Sequence, residues 1–342
     1  MNSWLKVLFF SGILILASCS SPSRATQELS QDSTSAQTPG PEPEGENSIR
    51  GEIFITVDES LQPIIDTEIF SFMAVHPEAT VHPIYLPGEE AVARMMQSDS
   101  FRLAITTRTL TKAENAALRA ELITADYGIV GYDAVAIFVN QDNPLTVLSE
   151  AQAVEILNGK LRNWSQLEID QGKDIQLVFD HAQSGALRFL RDSVLKGQAL
   201  SAGNVFAQES TPEMMAYVSE NPQAIGFGGI SWISDRDDPI VDSLMEGLKL
   251  IKIAPTDKPE TCFEEANAFA PYQSYIFQEC YPWVRTIRTI RRESIYGVGA
   301  GFTAYLVGPK GQRILHKSGL VVETNVPRRV SFPPKENSRD LR

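Results

Sequence analysis

The sequence predicts an α/β protein made of two lobes with mostly parallel sheets. Short β-branched runs alternate with helical patterns along the chain, and this alternation is typical of parallel sheets covered by helices. The predicted body, residues 49–330, is also long enough for two lobes. We expect residues 51–134 to form the first part of lobe 1, residues 135–267 to form lobe 2, and residues 268–330 to return to lobe 1.

Strands and helices alternate in the first part of lobe 1. Residues 51–57 and 80–85 have the β-rich composition of strands, and each is followed by a helical pattern, the second over residues 89–96. A third strand, residues 102–106, precedes a helix that begins near Lys112. Because ligands of such sheets lie beyond the carboxyl ends of the strands, the residues that follow these strands are candidates for one cleft.

The same alternation continues through lobe 2 and the return to lobe 1. Helix starts are marked by the turn at residues 180–185 and by Thr211-Pro212. The predicted strands are residues 174–179, 224–231 and 248–253, and the predicted helices include residues 186–195, 299–308 and 311–318.

The first 19 residues have the pattern of a lipoprotein signal. Lys6 precedes an apolar run over residues 7–16, and Leu16-Ala17-Ser18-Cys19 has the form of a lipobox. The run is shorter than the roughly 20 residues that span a bilayer. We therefore expect residues 1–18 to be removed and Cys19 to be acylated; the alternative is an ordinary signal peptide with a coincidental cysteine.

Residues 19–50 follow as a predicted flexible tether. This segment is rich in Ser, Thr, Gln, Pro and Glu, and it has too few bulky apolar residues to offset the entropy of ordering. Residues 331–342 form a predicted polar tail. These ends predict an exported protein that is lipid-anchored at a membrane surface. We further expect it to be a monomer on the periplasmic side.

The composition excludes several classes of function. With 30 Lys and Arg against 43 Asp and Glu, the formal net charge is −13, which argues against nucleic-acid binding. The four histidines are scattered and no Cys/His motif is present, so we expect neither a metal nor a cofactor. Cys262 and Cys280 form either a disulfide or a pair of buried thiols.

The most specific pattern lies between Gly131 and Leu167. A β-branched run over residues 135–139 leads into VN-x-DNP, and an amphipathic helix precedes NGK-x-x-NW. These residues closely resemble the crossover segment of the phosphate-binding subunits of bacterial phosphate ABC transporters. The resemblance implies a type 2 periplasmic-binding-protein fold, with two lobes joined by two crossovers. It also implies a non-enzymatic protein that binds phosphate and delivers it to ABC permease subunits.

The resemblance implies that three loops bind an oxyanion. A tetrahedral oxyanion needs converging N–H and O–H donors and is often bound by a guanidinium, a role for which Arg108 is the candidate. The matching positions are Ser60 and Leu61 in the first loop, Thr106, Thr107 and Arg108 in the second, and Ser184, Gly185 and Ala186 in the third.

The chain departs from the family at four of the matching positions. Asp180 stands where the family commonly has arginine, and Ala186 where it has threonine. Thr107 replaces the aspartate that accepts a proton from hydrogen phosphate, and Glu89 adds a carboxylate near a lost serine. Phosphate remains the leading ligand, and another oxyanion is the alternative.

Each assignment also has a structural or functional alternative. Ser60 is otherwise a helix cap, Arg108 a structural arginine and Trp164 a packing residue, while Arg291-Arg292 suggests a solvated face or a partner-docking patch. A hydrolase using Ser184, His181 and Asp180 is disfavoured, because three residues in one turn seldom reach catalytic geometry. The remaining alternative is a surface interaction module without a small ligand.

Overall fold

The computed structural model describes residues 46–169, 172–200, 204–262, 266–292 and 296–323. The predicted signal peptide, Cys19, most of the predicted tether and the polar tail lie outside these residues. None of the described helices has the length and apolar composition that crossing a bilayer requires.

The first part of lobe 1 has the predicted alternation of strands and helices. Thr111 caps the third helix, where its hydroxyl and the side chain of Glu114 form a reciprocal capping box. The elements are β1 (Gly51–Asp58), a short 3-10 helix (Glu59–Leu61), α1 (Gln62–Val75), β2 (Ala79–Leu86), α2 (Gly88–Gln97), β3 (Phe101–Thr106) and α3 (Lys112–Ala120).

Lobe 2 and the return to lobe 1 complete the fold. After β4 (Asp126–Asn140) come β5 (Val147–Ser149), α4 (Glu150–Leu157), β6 (Gln176–Phe179), α5 (Gly185–Phe189), β7 (Val205–Ala207), α6 (Thr211–Glu220), β8 (Ala224–Gly229), α7 (Pro239–Leu244), β9 (Leu248–Leu250) and β10 (Lys252–Ala254). The last elements are α8 (Gln273–Phe277), β11 (Val284–Arg291), α9 (Val298–Val307), α10 (Pro309–Lys317) and β12 (Val321–Val322).

The strand β4 connects the two lobes without interruption. Its first part pairs antiparallel with β11, in a register that ends with Ala134 opposite Val284. From Val135, which lies opposite Gly229, the same strand pairs antiparallel with β8. One sheet therefore runs through both lobes, in the order β2-β1-β3-β11-β4-β8-β6-β7.

Pairing in this sheet is mixed rather than mostly parallel. Strands β1, β2 and β3 pair in parallel in lobe 1, as do β6, β7 and β8 in lobe 2. The antiparallel pairs arise where β4 and β11 cross between the lobes. The predicted strand over residues 248–253 is two short strands instead, because β9 pairs with β4 while β10 pairs with β5.

Arg291 and Arg292 are structural, so their prediction as a solvated or docking patch is wrong. Arg291 is 6% exposed and pairs with Asp126 across β11 and β4. Arg292 donates to the main-chain oxygen of Met95 at 3.0 Å, at the end of α2. Both arginines therefore stabilise contacts within lobe 1.

Three further residues from the sequence analysis have structural roles. The Trp164 side chain is fully buried, and its indole N–H donates to the main-chain oxygen of Gln223 at 3.0 Å. Cys262 and Cys280 form a disulfide, the state that the sequence had left open, with their Cα atoms 5.7 Å apart.

Candidate functional site

The three predicted loops meet between the lobes. Ser60 follows β1, Thr107 follows β3, and Gly185 begins α5 on the facing lobe. A Cβ atom built on Gly185 would lie 3.1 Å from the Thr107 hydroxyl. Gly88, at the start of α2, joins the same contact, because its Cβ would lie 3.2 Å from the Cα atom of Gly185.

The carboxylate of Asp58 lies at the centre of this contact. Its Oδ1 accepts from the main-chain nitrogen of Ser60 at 3.1 Å and from the Ser60 hydroxyl at 2.8 Å. Its Oδ2 accepts from the Thr107 hydroxyl at 3.2 Å. Asp58 is 2% exposed. Asp58 was not predicted as a site residue, although an acidic residue at the end of a buried strand could have indicated it.

The guanidinium that contacts Ser60 belongs to Arg285 of β11, a residue that was also not predicted. Its Nη2 donates to Asp133 of β4 and, at 3.4 Å, to the Ser60 hydroxyl. Burial disfavours the charged form, but Asp133 and Asp58 outweigh it and raise the pKa of Arg285. Among the described residues, Nε and Nη1 of Arg285 have no hydrogen-bond acceptor.

Arg108, the predicted guanidinium, is engaged elsewhere. Its two terminal nitrogens donate to the two carboxylate oxygens of Glu114 at 2.8 and 2.7 Å. Because this fork is bidentate, the guanidinium is committed to the start of α3. Its pairing lowers the pKa of Glu114 to about 2. The cation that contacts Ser60 is therefore Arg285.

The remaining predicted residues line the place where the loops meet, and they present little polar surface there. Leu61 and Ala186 are fully buried and apolar. The Thr106 hydroxyl is buried with no partner among the described residues. Ser184 caps α5, where its hydroxyl accepts from the Leu187 nitrogen at 2.9 Å. Ser60 lies inside the short 3-10 helix, and Asp58 is the residue that caps it.

Two further carboxyl groups make the cleft acidic. Burial raises the pKa of Asp180 to about 6. Burial, with a contribution from Asp180, raises the pKa of Glu59 to about 7. The adjoining cavity has a volume of about 130 Å³ and is lined by Asp58, Glu59, Tyr85, Leu86, Pro87, Gly88, Asp180, His181, Ser184 and Glu209.

Hydrogen bonds and ion pairs join the lobes around this cleft. Glu59 of lobe 1 accepts from the nitrogen and the hydroxyl of Thr211, at 3.2 and 3.1 Å. The Ser231 hydroxyl donates to the main-chain oxygen of Ser60 at 2.9 Å. Glu89 pairs with Arg188 of the facing lobe. These bonds hold the facing loops of the two lobes in contact.

The residues of the hydrolase alternative serve the turn before α5. His181 accepts from the Gln183 nitrogen through Nδ1 at 3.1 Å, and Asp180 accepts from the His181 nitrogen at 3.2 Å. Ser184 is the cap already described. The described residues also contain no group of three or more His, Cys, Asp or Glu side chains that could hold a metal ion.

The architecture, two α/β lobes whose polar loops meet between them, is that of a two-lobed binding protein. The sequence profile of the PBP superfamily domain matches residues 42–310, so the chain belongs to this family.

Relatives and solved structures agree with this membership. The phosphate-binding protein PstS of Bacillus subtilis is 23% identical over 247 residues, covering 72% of this chain and 75% of the relative. PstS of Borreliella burgdorferi is 22% identical over 203 residues, covering 58% of this chain and 67% of the relative. The resemblance to phosphate-binding subunits is thus confirmed.

Two crystal structures share the fold. A substrate-binding protein of Clostridium perfringens with bound phosphate has a TM-score of 0.66 and 18% identity, covering 80% of this chain and 100% of its own. An ABC-type phosphate transport receptor of Vibrio cholerae has a TM-score of 0.58 and 22% identity, with the same coverage. These similarities confirm the predicted type 2 periplasmic-binding-protein fold.

Proposed function

We propose that this chain is a solute-binding protein that captures inorganic phosphate between its lobes and delivers it to an ABC permease. The observation that carries the proposal is the meeting of Ser60, Thr107 and Gly185 across the interlobe gap. By the sequence resemblance, these residues correspond to the ligand loops of the phosphate-binding family. Membership in the PBP superfamily and the names of the relatives support the same role.

The proposed activity is reversible binding without chemistry. Opening of the lobes admits the anion, and closure then surrounds it with donors from both sides. In this arrangement Ser60 and Thr107 present hydroxyls from lobe 1, and the Ser184–Ala186 turn faces them from lobe 2. Arg285 supplies the buried positive charge, whereas Arg108 organises the loop through Glu114.

Export and membrane attachment form a second part of the proposal. The pattern Leu16-Ala17-Ser18-Cys19 supports cleavage before Cys19 and acylation of its thiol. The tether over residues 19–50 would let a monomeric body range roughly 30 Å from its anchor, at coil dimensions. Such a reach suits delivery of solute to a permease in the same membrane.

An interaction module without a small ligand is the second candidate function. The observation in its favour is the acidic character of the cleft, where Asp58, Glu59 and Asp180 face any incoming anion. Like charges at short range disfavour the binding of a dianion.

A thermal-shift titration with phosphate, sulfate, arsenate and molybdate distinguishes the two candidates. A ligand present at a thousandfold excess over Kd stabilises the folded protein by about 4 kcal/mol. We expect phosphate to give such a shift in the wild type and a smaller one in Thr107→Val, which lacks the loop hydroxyl. Thr67→Val, at an exposed position on α1, is the matched control. The absence of any shift with all four anions would favour the interaction module.

A further inference from the structure

We propose that the Asp58 carboxylate is a built-in occupant of the anion position, which competes with the solute and sets the affinity of the cleft. This inference rests on the proposed function, because it concerns the same loops. It adds that the chain carries its own anionic group at the place where those loops converge.

The hydrogen bonds of Asp58 are those expected for an oxyanion. The carboxylate accepts from one main-chain N–H and from two hydroxyls, those of Ser60 and Thr107. These donors come from the loops after β1 and β3, which are also the loops predicted to bind the ligand. Both carboxylate oxygens are thus bound by groups that a phosphate would otherwise use.

Packing against two glycines leaves no room for a second anion at this point. A Cβ atom would lie 2.6 Å from Asp58 Oδ2 if built on Gly88, and 2.5 Å if built on Gly185. Gly88 belongs to lobe 1 and Gly185 to lobe 2, so the oxygen lies directly between the lobes. A phosphate oxygen can reach the same donors only if the Asp58 side chain leaves.

A buried cation beside this position points independently to an anion. The Arg285 side chain is 1% exposed, and its Nη1 lies 3.2 Å from the Cβ position of Gly185. Nη1 has no acceptor among the described residues. A buried guanidinium nitrogen without a partner is costly, and an anion between Gly185 and Thr107 would supply that partner.

A role as helix cap alone does not account for the whole arrangement. The bond from the Ser60 nitrogen to Oδ1 is a capping bond, but it involves only one of the two oxygens. Oδ2 contacts Thr107 and both glycines, none of which belongs to the capped 3-10 helix. Asp58 therefore also occupies the space in which the lobes meet.

A different role, acceptance of a ligand proton by Asp58, makes the opposite prediction. A competing carboxylate weakens binding, and its removal frees the donors. A proton-accepting carboxylate contributes to binding, and its removal costs affinity. Replacement of Asp58 thus separates the two roles by the sign of the change.

Calorimetric titration of inorganic phosphate into wild type, Asp58→Ala and Asp58→Asn tests the inference. We expect Asp58→Ala to bind phosphate at least about tenfold more tightly than wild type, because a like charge at short range has been removed. Asp58→Asn keeps the size of the side chain without its charge, so an intermediate gain is expected. Asp142→Ala, at an exposed position, should match wild type.

Each outcome bears on the inference and on the proposed function separately. Binding by Asp58→Ala with none by wild type would support the inference while overturning phosphate capture by the native chain. Equal or weaker binding by both Asp58 variants would overturn the inference and leave the proposed function standing. No binding by any folded variant would overturn both. If Asp58→Ala fails to fold, Asp58→Asn alone tests the inference. Tighter phosphate binding than in wild type would support the inference, and equal or weaker binding would overturn it.

Discussion

Arg285 and Asp133 form an ion pair at the junction of the two lobes, with side-chain exposures of 1% and 0%. The pair joins β11 to β4 close to the point where β4 changes partners. Asp133 also accepts from the Ile230 nitrogen at 3.1 Å. The pair is thus bonded to both lobes, and removing one member would leave the other charge buried without its ion-pair partner.

Arg285→Met should lower the free energy of unfolding by about 3–5 kcal/mol, the usual cost of an unpaired buried charge. Urea denaturation measures the change. The double variant Asp133→Asn/Arg285→Met should lose less stability than Arg285→Met alone, because the charge at position 133 is removed together with its partner. A double variant less stable than Arg285→Met would show that the pair is not the source of the effect.

Gly185→Ala should weaken phosphate binding by at least about tenfold (1.4 kcal/mol) while leaving the fold intact. Its methyl group would lie 2.5 Å from Asp58 Oδ2 and 3.1 Å from the Thr107 hydroxyl, so the lobes could not close fully. Calorimetry and a melting curve measure the two effects.

Gly172→Ala is the matched control for this variant. Its site is open, although a φ of +60° costs some stability, so binding should be unchanged. Adding Asp58→Ala to Gly185→Ala should restore part of the affinity. Undiminished binding by Gly185→Ala would contradict closure at this contact.

Glu68 on α1 should make the free energy of unfolding fall as the pH rises from 4.5 towards about 9. Burial raises the pKa of this carboxyl from its ordinary value of 4.5 to about 9, and neither carboxyl oxygen has a partner among the described residues. Above pH 4.5 the unfolded chain releases the proton while the folded chain keeps it. The resulting loss is up to about 1.4 kcal/mol per pH unit until the folded-state pKa is reached.

Glu68→Gln should remove this contribution to the pH dependence. Urea denaturation of both proteins from pH 5 to pH 8 would reveal it as a flatter profile in the variant. Glu90→Gln, at an exposed position on α2, is the control and should keep the wild-type slope. Parallel profiles for wild type and Glu68→Gln would refute the assignment.

Reduction of the Cys262–Cys280 disulfide should lower the free energy of unfolding by about 3 kcal/mol. The bond closes a loop of sequence separation 18, for which loop-closure entropy gives a value of this order. Denaturation with and without a reductant measures it, and the Cys262→Ser/Cys280→Ser double variant should be insensitive to the reductant. A reductant without effect on wild type would contradict the prediction.

Most of the fold could be predicted because its signals are local. Helices such as α3 and α4 carry capping residues, and the early strands have strong β-branched patterns. Strand β11 was missed, because an arginine recurs at every third residue, at Arg285, Arg288 and Arg291. Arg285 and Arg291 are buried only because β4 supplies Asp133 and Asp126 from far along the chain.

The cleft likewise combines features that have local sequence signals with features that depend on residues far apart in the chain. Convergence of Ser60 and Thr107 followed from the rule that parallel strands end at one edge. The hydrogen bond from Arg285 to Ser60 joins residues that are 225 positions apart, so no local sequence pattern indicates it. Arg108 was predicted to bind the anion because it lies in the second loop. A local signal nevertheless indicated a different partner for it. Glu114, in the capping box of α3, lies six residues further on and binds it.

The uninterrupted course of β4 determines how this protein can move. No loose linker separates the halves at this crossing, so any change in their angle must bend or twist a hydrogen-bonded strand. Such a deformation is elastic and is distributed over several peptide units on either side of Ala134 and Val135. The resting angle is thus encoded in the backbone, and stiffening or softening this strand would tune the motion without altering any ligand contact.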